Sequence, residues 1–571
     1  MMMSTSILIL IVAKALPSIQ KHISSIHFTR ISAIILLISG FLSLNILYIQ
    51  SIGSGIGIYS GLFQITNISQ TIEFFLLVIG SIILIGWPLN ESKYSIDYSL
   101  IVLFSILGSS LLVSSLDLIS FYLSLELQSF GLYILATLYR EKESSTNAGL
   151  KYFLLGGLSS CIILLGAGII YSLTGLTQLE SIYMLIISTN IEYVIIGSLF
   201  GVILIMIGLL FKISAAPLHN WSPDVYDETP TIVTIWLTII PKISLLILIL
   251  EIYTQLNIFP QFTMLQYFNY PLGLLESNSS LFNVANLTGN TIWQENINTN
   301  LLSLKNLFLI SSVLSLIIGT VVGLAQIKIK RLLAYSTISH IGFMLLALAI
   351  NTEQSIDSFL FYLIQYIITN LNIFFILLAI SYIWSLNSTP VTRSTINNRL
   401  NPLSLNIIDV KYIRDLQGLF YTNPFLSLSL SLSLFSMAGI PPFVGFFSKQ
   451  FVLYSALDSG YYFISLLGIL VSVISASYYL KIIKILHIAP TTSSSAIAQP
   501  KSATVATAVT HLVSYDTRQE SASTTNNTVA VLSQFHCLII SILSLFILLF
   551  ILKPTLILNS TQVLSITLFK L

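Results

Sequence analysis

The sequence predicts an all-α polytopic membrane protein with about fourteen transmembrane helices. Three observations lead there. Hydrophobic residues make up 55% of the 571 positions and charged residues only 8%, whereas an ordinary soluble domain is about a quarter charged. Apolar runs of about 20 residues, long enough to cross a bilayer, recur along the chain. The basic residues fall almost entirely on one side of those runs. A mean hydropathy of +0.91 excludes a soluble enzyme and a disordered or fibrous chain. The net charge of +2 gives no reason to expect nucleic acid. Cys161 and Cys537 lie in apolar runs and are expected to be small buried apolar side chains, with no disulfide framework or metal spacing around them.

In chain order the runs fall near 4–16, 31–49, 72–87, 99–115, 117–138, 147–173 and 193–216, then 230–253, 302–325, 331–350, 356–385, 424–453, 459–484 and 534–553. The first is short. It lacks the leading positive charge and small-residue cleavage pattern of a signal peptide, so it reads as a retained span. Two polar insertions interrupt the series: an Asn/Ser/Leu-rich loop at 254–301 and a Ser/Thr/Ala-rich linker at 486–533. The expected organisation is an N-terminal three-helix segment (1–98), a first repeat (99–253), the 254–301 loop, a second repeat (302–485), the linker, and a C-terminal helix and tail (534–571).

With fourteen spans, seventeen of the 24 lysines and arginines fall on one side and three on the other; four lie within spans. Basic loops stay on the side from which insertion starts, the cytoplasm or a mitochondrial matrix. Both termini are then expected on the opposite side.

Five charges sit inside apolar runs: Glu126, Lys151, Lys212, Lys242 and Lys449. Each intramembrane charge costs roughly 2.5–3.5 kcal/mol on insertion scales. They should therefore face one another or water inside the bundle. Lys151, near a span end, has the alternative of snorkelling to the interface. One acid cannot pair with four bases. A buried amine without a counter-charge is easily deprotonated, and a group that gains and loses a proton near neutral pH is what a proton relay requires. The competing reading makes these charges paired glue between helices.

Two of the lysines stand beside helix interruptions. Lys212 is followed by Pro217, and Lys449 follows Gly439, Pro441, Pro442 and Gly445. Proline removes a backbone donor, and freed carbonyls at membrane depth need water or a polar neighbour. Broken helices at matching places in two halves mark an ion path in inverted-repeat transporters. The breaks fall in the seventh and twelfth spans, which predicts two five-helix repeats, spans 4–8 and 9–13. An odd number of helices per repeat makes the second copy inverted. Simple proline kinks are the alternative. On the tenth span Ser336 and His340 share a helix face. A histidine there can bridge the half-paths, since it titrates near neutral pH; a core histidine is the alternative.

Several blocks resemble a known family. FKISAAPLHNWSPDVY at 211–226 is similar to a block of the antiporter-like subunits of proton-pumping NADH:quinone oxidoreductases and related cation/proton antiporters. AGLKYFLLGGLSS (148–160), KRLLAYSTISHIGFMLL (330–346), LFSMAGIPPFVGFFSKQFVL (434–453) and Glu126 in SLELQSFGLYIL agree, in the family's order over most of 117–485. The chain departs from the family's pattern in Asp227-Glu228, where glycine is commoner before the proline, and in long loops at 254–301 and 386–423. Fourteen spans without a long lateral C-terminal helix speak against the subunit 5 type, and a lysine on the twelfth span against the subunit 4 type. The pair Pro241-Lys242 and LKYFLLG have the form of the remaining antiporter-like type. The Ile/Leu/Ser/Asn-rich composition and poverty in charge look like a mitochondrially encoded product, and the retained first three spans and the insertions look more fungal than animal.

The resemblance implies a core membrane subunit of respiratory complex I in the mitochondrial inner membrane. Protons would be translocated there as partner subunits oxidise NADH and reduce ubiquinone. FMN and iron–sulfur clusters are expected in those partners, and this chain would carry no redox centre. Its neighbours would be antiporter-like subunits of the chain 4 type, small membrane chains, accessory subunits and structural lipids. The resemblance assigns Glu126 to modulating a neighbouring lysine, Lys212 to loading the proton, Lys242 with His340 to passing it on, and Lys449 to the exit; Lys151 belongs to the same charged series. An Mrp-type cation/proton antiporter subunit, without redox coupling, is the alternative.

Overall fold

The structure is a computed structural model describing residues 2–16, 25–47, 55–86, 95–188, 192–256, 304–387, 409–489 and 534–569. Among them, 12 helices are long and apolar enough to cross a membrane. They fall on twelve of the fourteen expected runs. The first run is the short helix Met2–Ala15, and the twelfth is a pair of shorter helices, Pro424–Ala438 and Val444–Asp458. Apart from their edges, the 254–301 loop and the 486–533 linker lie outside the described residues.

Helix is the solution forced on such runs, because a bilayer offers no partner to an open backbone. The stretch Ser427–Leu434 shows how strong that pressure is. Its Ser-Leu alternation has the period of a strand, yet it forms one helix. Ser427, Ser429, Ser431 and Ser433 each donate their hydroxyl to the carbonyl three residues back, at 2.7–2.9 Å. Helix starts outside the apolar zone use ordinary caps. Thr66 accepts from the Ser69 amide while Ser69 accepts from the Thr66 amide. Asp117 accepts from the Ile119 amide and from the Thr177 hydroxyl, tying two loops together.

Three helices form the centre. Thr231–Thr254 is buried over 100% of its most apolar window, Ile329–Ile350 over 94% and Glu353–Trp384 over 89%. Glu143–Thr174, Tyr462–His487 and Gln534–Leu552 expose most of theirs and form the outer surface. The packing has a parallel in the two halves. Ser95–Val113 packs on Leu118–Thr137 and on Thr231–Leu256, as Leu304–Leu324 packs on Ile329–Ile350 and on Tyr462–His487.

Three features depart from the expectations. A two-stranded antiparallel hairpin, Ile56–Ile58 against Phe63–Ile65, occupies the loop between the second and third spans, so among the described residues the fold is helical with this small exception. The tail after the last span continues as a helix, Thr555–Phe569, packed on Glu353–Asn387. Cys161 and Cys537 are exposed rather than buried, because each lies on the outward face of an outer helix, where lipid rather than protein supplies the apolar surroundings.

A row of buried lysines as candidate functional site

The last turn of Glu192–Ile213 carries Lys212. Its amine lies 3.3 Å from Glu126 Oε1 on Leu118–Thr137, and both side chains are largely buried, at 8% and 15% exposure. Ser129, one turn along, donates to the other Glu126 oxygen at 3.3 Å. The helix stops immediately afterwards. Ser214 turns into the left-handed region at φ 68°, and a bend through Pro217 leads to the short helix Trp221–Glu228. The orphaned end is recaptured by Trp221, whose indole N–H donates to the Phe211 carbonyl at 2.9 Å and whose ring stacks on Tyr152.

Lys242 follows Pro241 in the middle of Thr231–Leu256 and is 2% exposed. Its amine donates to Thr337 Oγ1 at 3.0 Å and to Tyr366 Oη at 3.4 Å, and lies over the faces of Tyr226 and Tyr366. No described carboxylate pairs with it. A cavity of about 20 Å³, lined by Lys212, Ser129, Gln128, Trp221, Tyr226 and Lys242, joins it to the Glu126–Lys212 pair. That is room for a water molecule. Gln128, which lines it, donates to the Ser244 hydroxyl at 2.9 Å.

One turn beyond Thr337 on the same helix, His340 is held on both ring nitrogens. Nδ1 lies 2.6 Å from Tyr362 Oη and Nε2 3.5 Å from Tyr479 Oη. Lys449, on Val444–Asp458, is 6% exposed. It donates to the Met437 and Ala438 carbonyls at 2.9 Å each, the open C-terminal end of Pro424–Ala438. Phe343 lies under its amine. The break between these helices turns at Gly439, φ 85°, and passes Pro441 and Pro442. At Gly445 the chain approaches Ser436 so closely that a side chain there would strike the Ser436 carbonyl.

The structure therefore sets Lys242 and His340 on two of the three central helices, with the Glu126–Lys212 pair across the small cavity from Lys242 and Lys449 over Phe343, one turn from His340. Lys151 is not among them. Its side chain is 45% exposed and pairs with Asp224 at 3.3 Å and Glu228 at 3.8 Å at the basic end of the bundle. The expectation that it faces the bundle interior is corrected: these carboxylates beyond the span end give it a counter-charge without burial. Sequence reasoning missed Thr337, Tyr362, Tyr366 and Tyr479. Tyr362 and Tyr366, four apart on an otherwise apolar run, were the available signal.

A fold of this kind, with two interrupted helices each presenting a lysine, defines a class. The family model described as "NADH:quinone oxidoreductase/Mrp antiporter, TM" matches residues 115–272 and 295–475, and the chain belongs to that family. It is 46% identical, over 99% of both chains, to NADH-ubiquinone oxidoreductase chain 2 of Rhizopus oryzae. Among solved structures it resembles a chain of respiratory complex I from Thermus thermophilus with bound aureothin, at 21% identity and TM-score 0.66 over 98% of each chain. It also resembles a chain of the Mrp complex from Dietzia sp., at 17% identity and TM-score 0.68, covering 99% of this chain and 96% of that one.

Proposed function

We propose that the chain is a membrane subunit of respiratory complex I in the mitochondrial inner membrane and moves protons through its buried lysine row. One observation carries the reading: among the described residues, three buried lysines and a histidine are served by a single carboxylate, with a water-sized cavity between Lys212 and Lys242, hydroxyls on Lys242 and His340, and only backbone carbonyls on Lys449. A set meant only as glue would have balanced its charges. Partner subunits would hold FMN and the iron–sulfur clusters, oxidise NADH and reduce ubiquinone. The basic loops would face the matrix and both termini the intermembrane side. The matching packing of the two halves supports two inverted five-helix repeats, spans 4–8 and 9–13.

In this reading Lys212 takes up a proton while Glu126 stabilises it, and lengthening that contact releases it by removing the counter-charge. Lys242 receives the proton across the cavity. The hydroxyls of Thr337 and Tyr366 hold its amine, and His340 continues the row towards Lys449 at the exit. Similarity to chain 2 over nearly the whole of both chains favours this over a stand-alone antiporter subunit.

The test is a native gel of mildly solubilised membranes, stained for NADH dehydrogenase activity and probed for this chain. Co-migration with the active high-mass band is expected. Residence only in a smaller inactive assembly, with sodium-dependent proton flux, would transfer the assignment to the Mrp-type reading.

A further inference from the structure

The geometry points to a second device that the lysine row does not use: an ion-pair strap locking the segment between Lys212 and Lys242 onto the helix that carries Thr337 and His340. It rests on the proton-path reading and assigns Asp224 and Asp227 as positioning residues within it.

The strap begins at the short helix Trp221–Glu228, which follows the Lys212 break. Asp224, Asp227 and Glu228 are three and four residues apart and share one face. Opposite that face, Lys328 and Arg331 stand at the start of Ile329–Ile350 in the second half of the chain. Asp227, with a side chain only 8% exposed, accepts from Lys328 at 2.6 Å and lies 3.5 Å from Arg331 Nε. Asp224 pairs with Arg331 as well, and with Lys151 from the first half. The seam continues through Thr229 and Thr231. Lys330 donates to the Thr229 carbonyl at 2.8 Å and to Asp409 at 3.1 Å, and Thr231 donates to Asp409 at 2.9 Å.

The other end of the same short helix is fastened too. Trp221 holds the carbonyl of Phe211, the residue before Lys212. Eight residues thus run from the backbone beside Lys212 to the foot of the His340 helix, gripped at both ends. Isolated exposed ion pairs contribute little each. This set shares partners, buries Asp227 and bridges two halves, so its consequence is geometric. A shift of the His340 helix reaches Phe211 and alters the Lys212–Glu126 contact.

The test exchanges charges across the seam in the assembled complex. Asp227→Lys and Lys328→Asp are made singly and together, with Asp227→Asn as the milder single variant and Lys212→Met as a reference. The ratio of protons pumped to electrons transferred is read in vesicles. The expected result is a lower ratio in each single variant and recovery in the double exchange, which loss of a merely structural contact in the singles alone would not produce. A normal ratio in Asp227→Asn and in the assembled fraction of the charge reversals, with a lowered ratio in Lys212→Met, overturns the strap and leaves the proton path standing. A normal ratio in Lys212→Met itself overturns the path, and the strap's role with it.

Discussion

Lys212 and Lys449 each stand beside an interrupted helix, but what holds them differs. Lys212 faces a carboxylate on a separate helix, Glu126 at 3.3 Å. Lys449 faces two carbonyls of the helix immediately before its own, across a break of five residues. A counter-charge on another helix can be moved away by a small relative shift of two helices. Carbonyls at a helix end travel with the break that presents them. The comparison makes the first half the switchable one and the second half the fixed one. Lys242, between them, has neither kind of partner and relies on hydroxyls and ring faces.

The largest effect is expected from Glu126→Gln. Removing one partner of a buried pair costs about 3–5 kcal/mol, and each 1.36 kcal/mol expressed in a barrier is tenfold in rate. Coupled NADH:quinone reduction should fall at least about tenfold while the native-gel band persists. Lys212→Met should depress it likewise, and the double variant should lose little more, because both act on one contact. Additive losses would break the switch assignment.

Next comes Lys449. Substitution by Met leaves two buried carbonyls without a donor, at about 1–3 kcal/mol each, and should lower both thermal stability and pumping. Arginine keeps donors and charge but cannot release a proton. Lys449→Arg should therefore recover stability without recovering pumping; if pumping also returns, Lys449 is only a clip for the break.

Tyr366→Phe removes one of two hydroxyls on Lys242, worth about 0.5–1.5 kcal/mol. A several-fold slower coupled rate with normal assembly is expected, and an unchanged rate would leave Thr337 as the sole hydroxyl of consequence.

The smallest effect concerns pH. Burial alone would raise the Asp409 carboxyl, but Lys330 beside it, with Thr231 donating, holds it below the usual carboxylate range. Its depressed pKa in the folded state contributes stability that is present above the ordinary aspartate value of about 4 and lost as pH falls from there through the folded value. Resistance to proteolysis in detergent should decline in that window, and Asp409→Asn should flatten the decline.

Much of this was legible in the sequence because membrane burial makes charge conspicuous. Glu126, Lys212, Lys242 and Lys449 could be picked out as costly residues in apolar runs, and Gly439, Pro441 and Pro442 marked a break the structure contains. What escaped notice was whatever carries no cost in sequence terms. Thr337, Tyr362 and Tyr366 look like ordinary residues of an apolar helix until three helices converge on Lys242 and His340. Nothing local marked the carboxylates Asp224 and Asp227 as paired, because their partners Lys328 and Arg331 are about a hundred residues away. Lys151 was misplaced for the same reason: nothing local announced Asp224 and Glu228 as its partners.

The most direct measurement is the proton-to-electron ratio of the purified complex in sealed vesicles, with Lys212→Met and Lys449→Met side by side. The account predicts a lowered ratio in both, since it gives each lysine a turn in carrying the proton. An unchanged ratio in both, with quinone reduction intact, would contradict it and leave the buried lysines as packing.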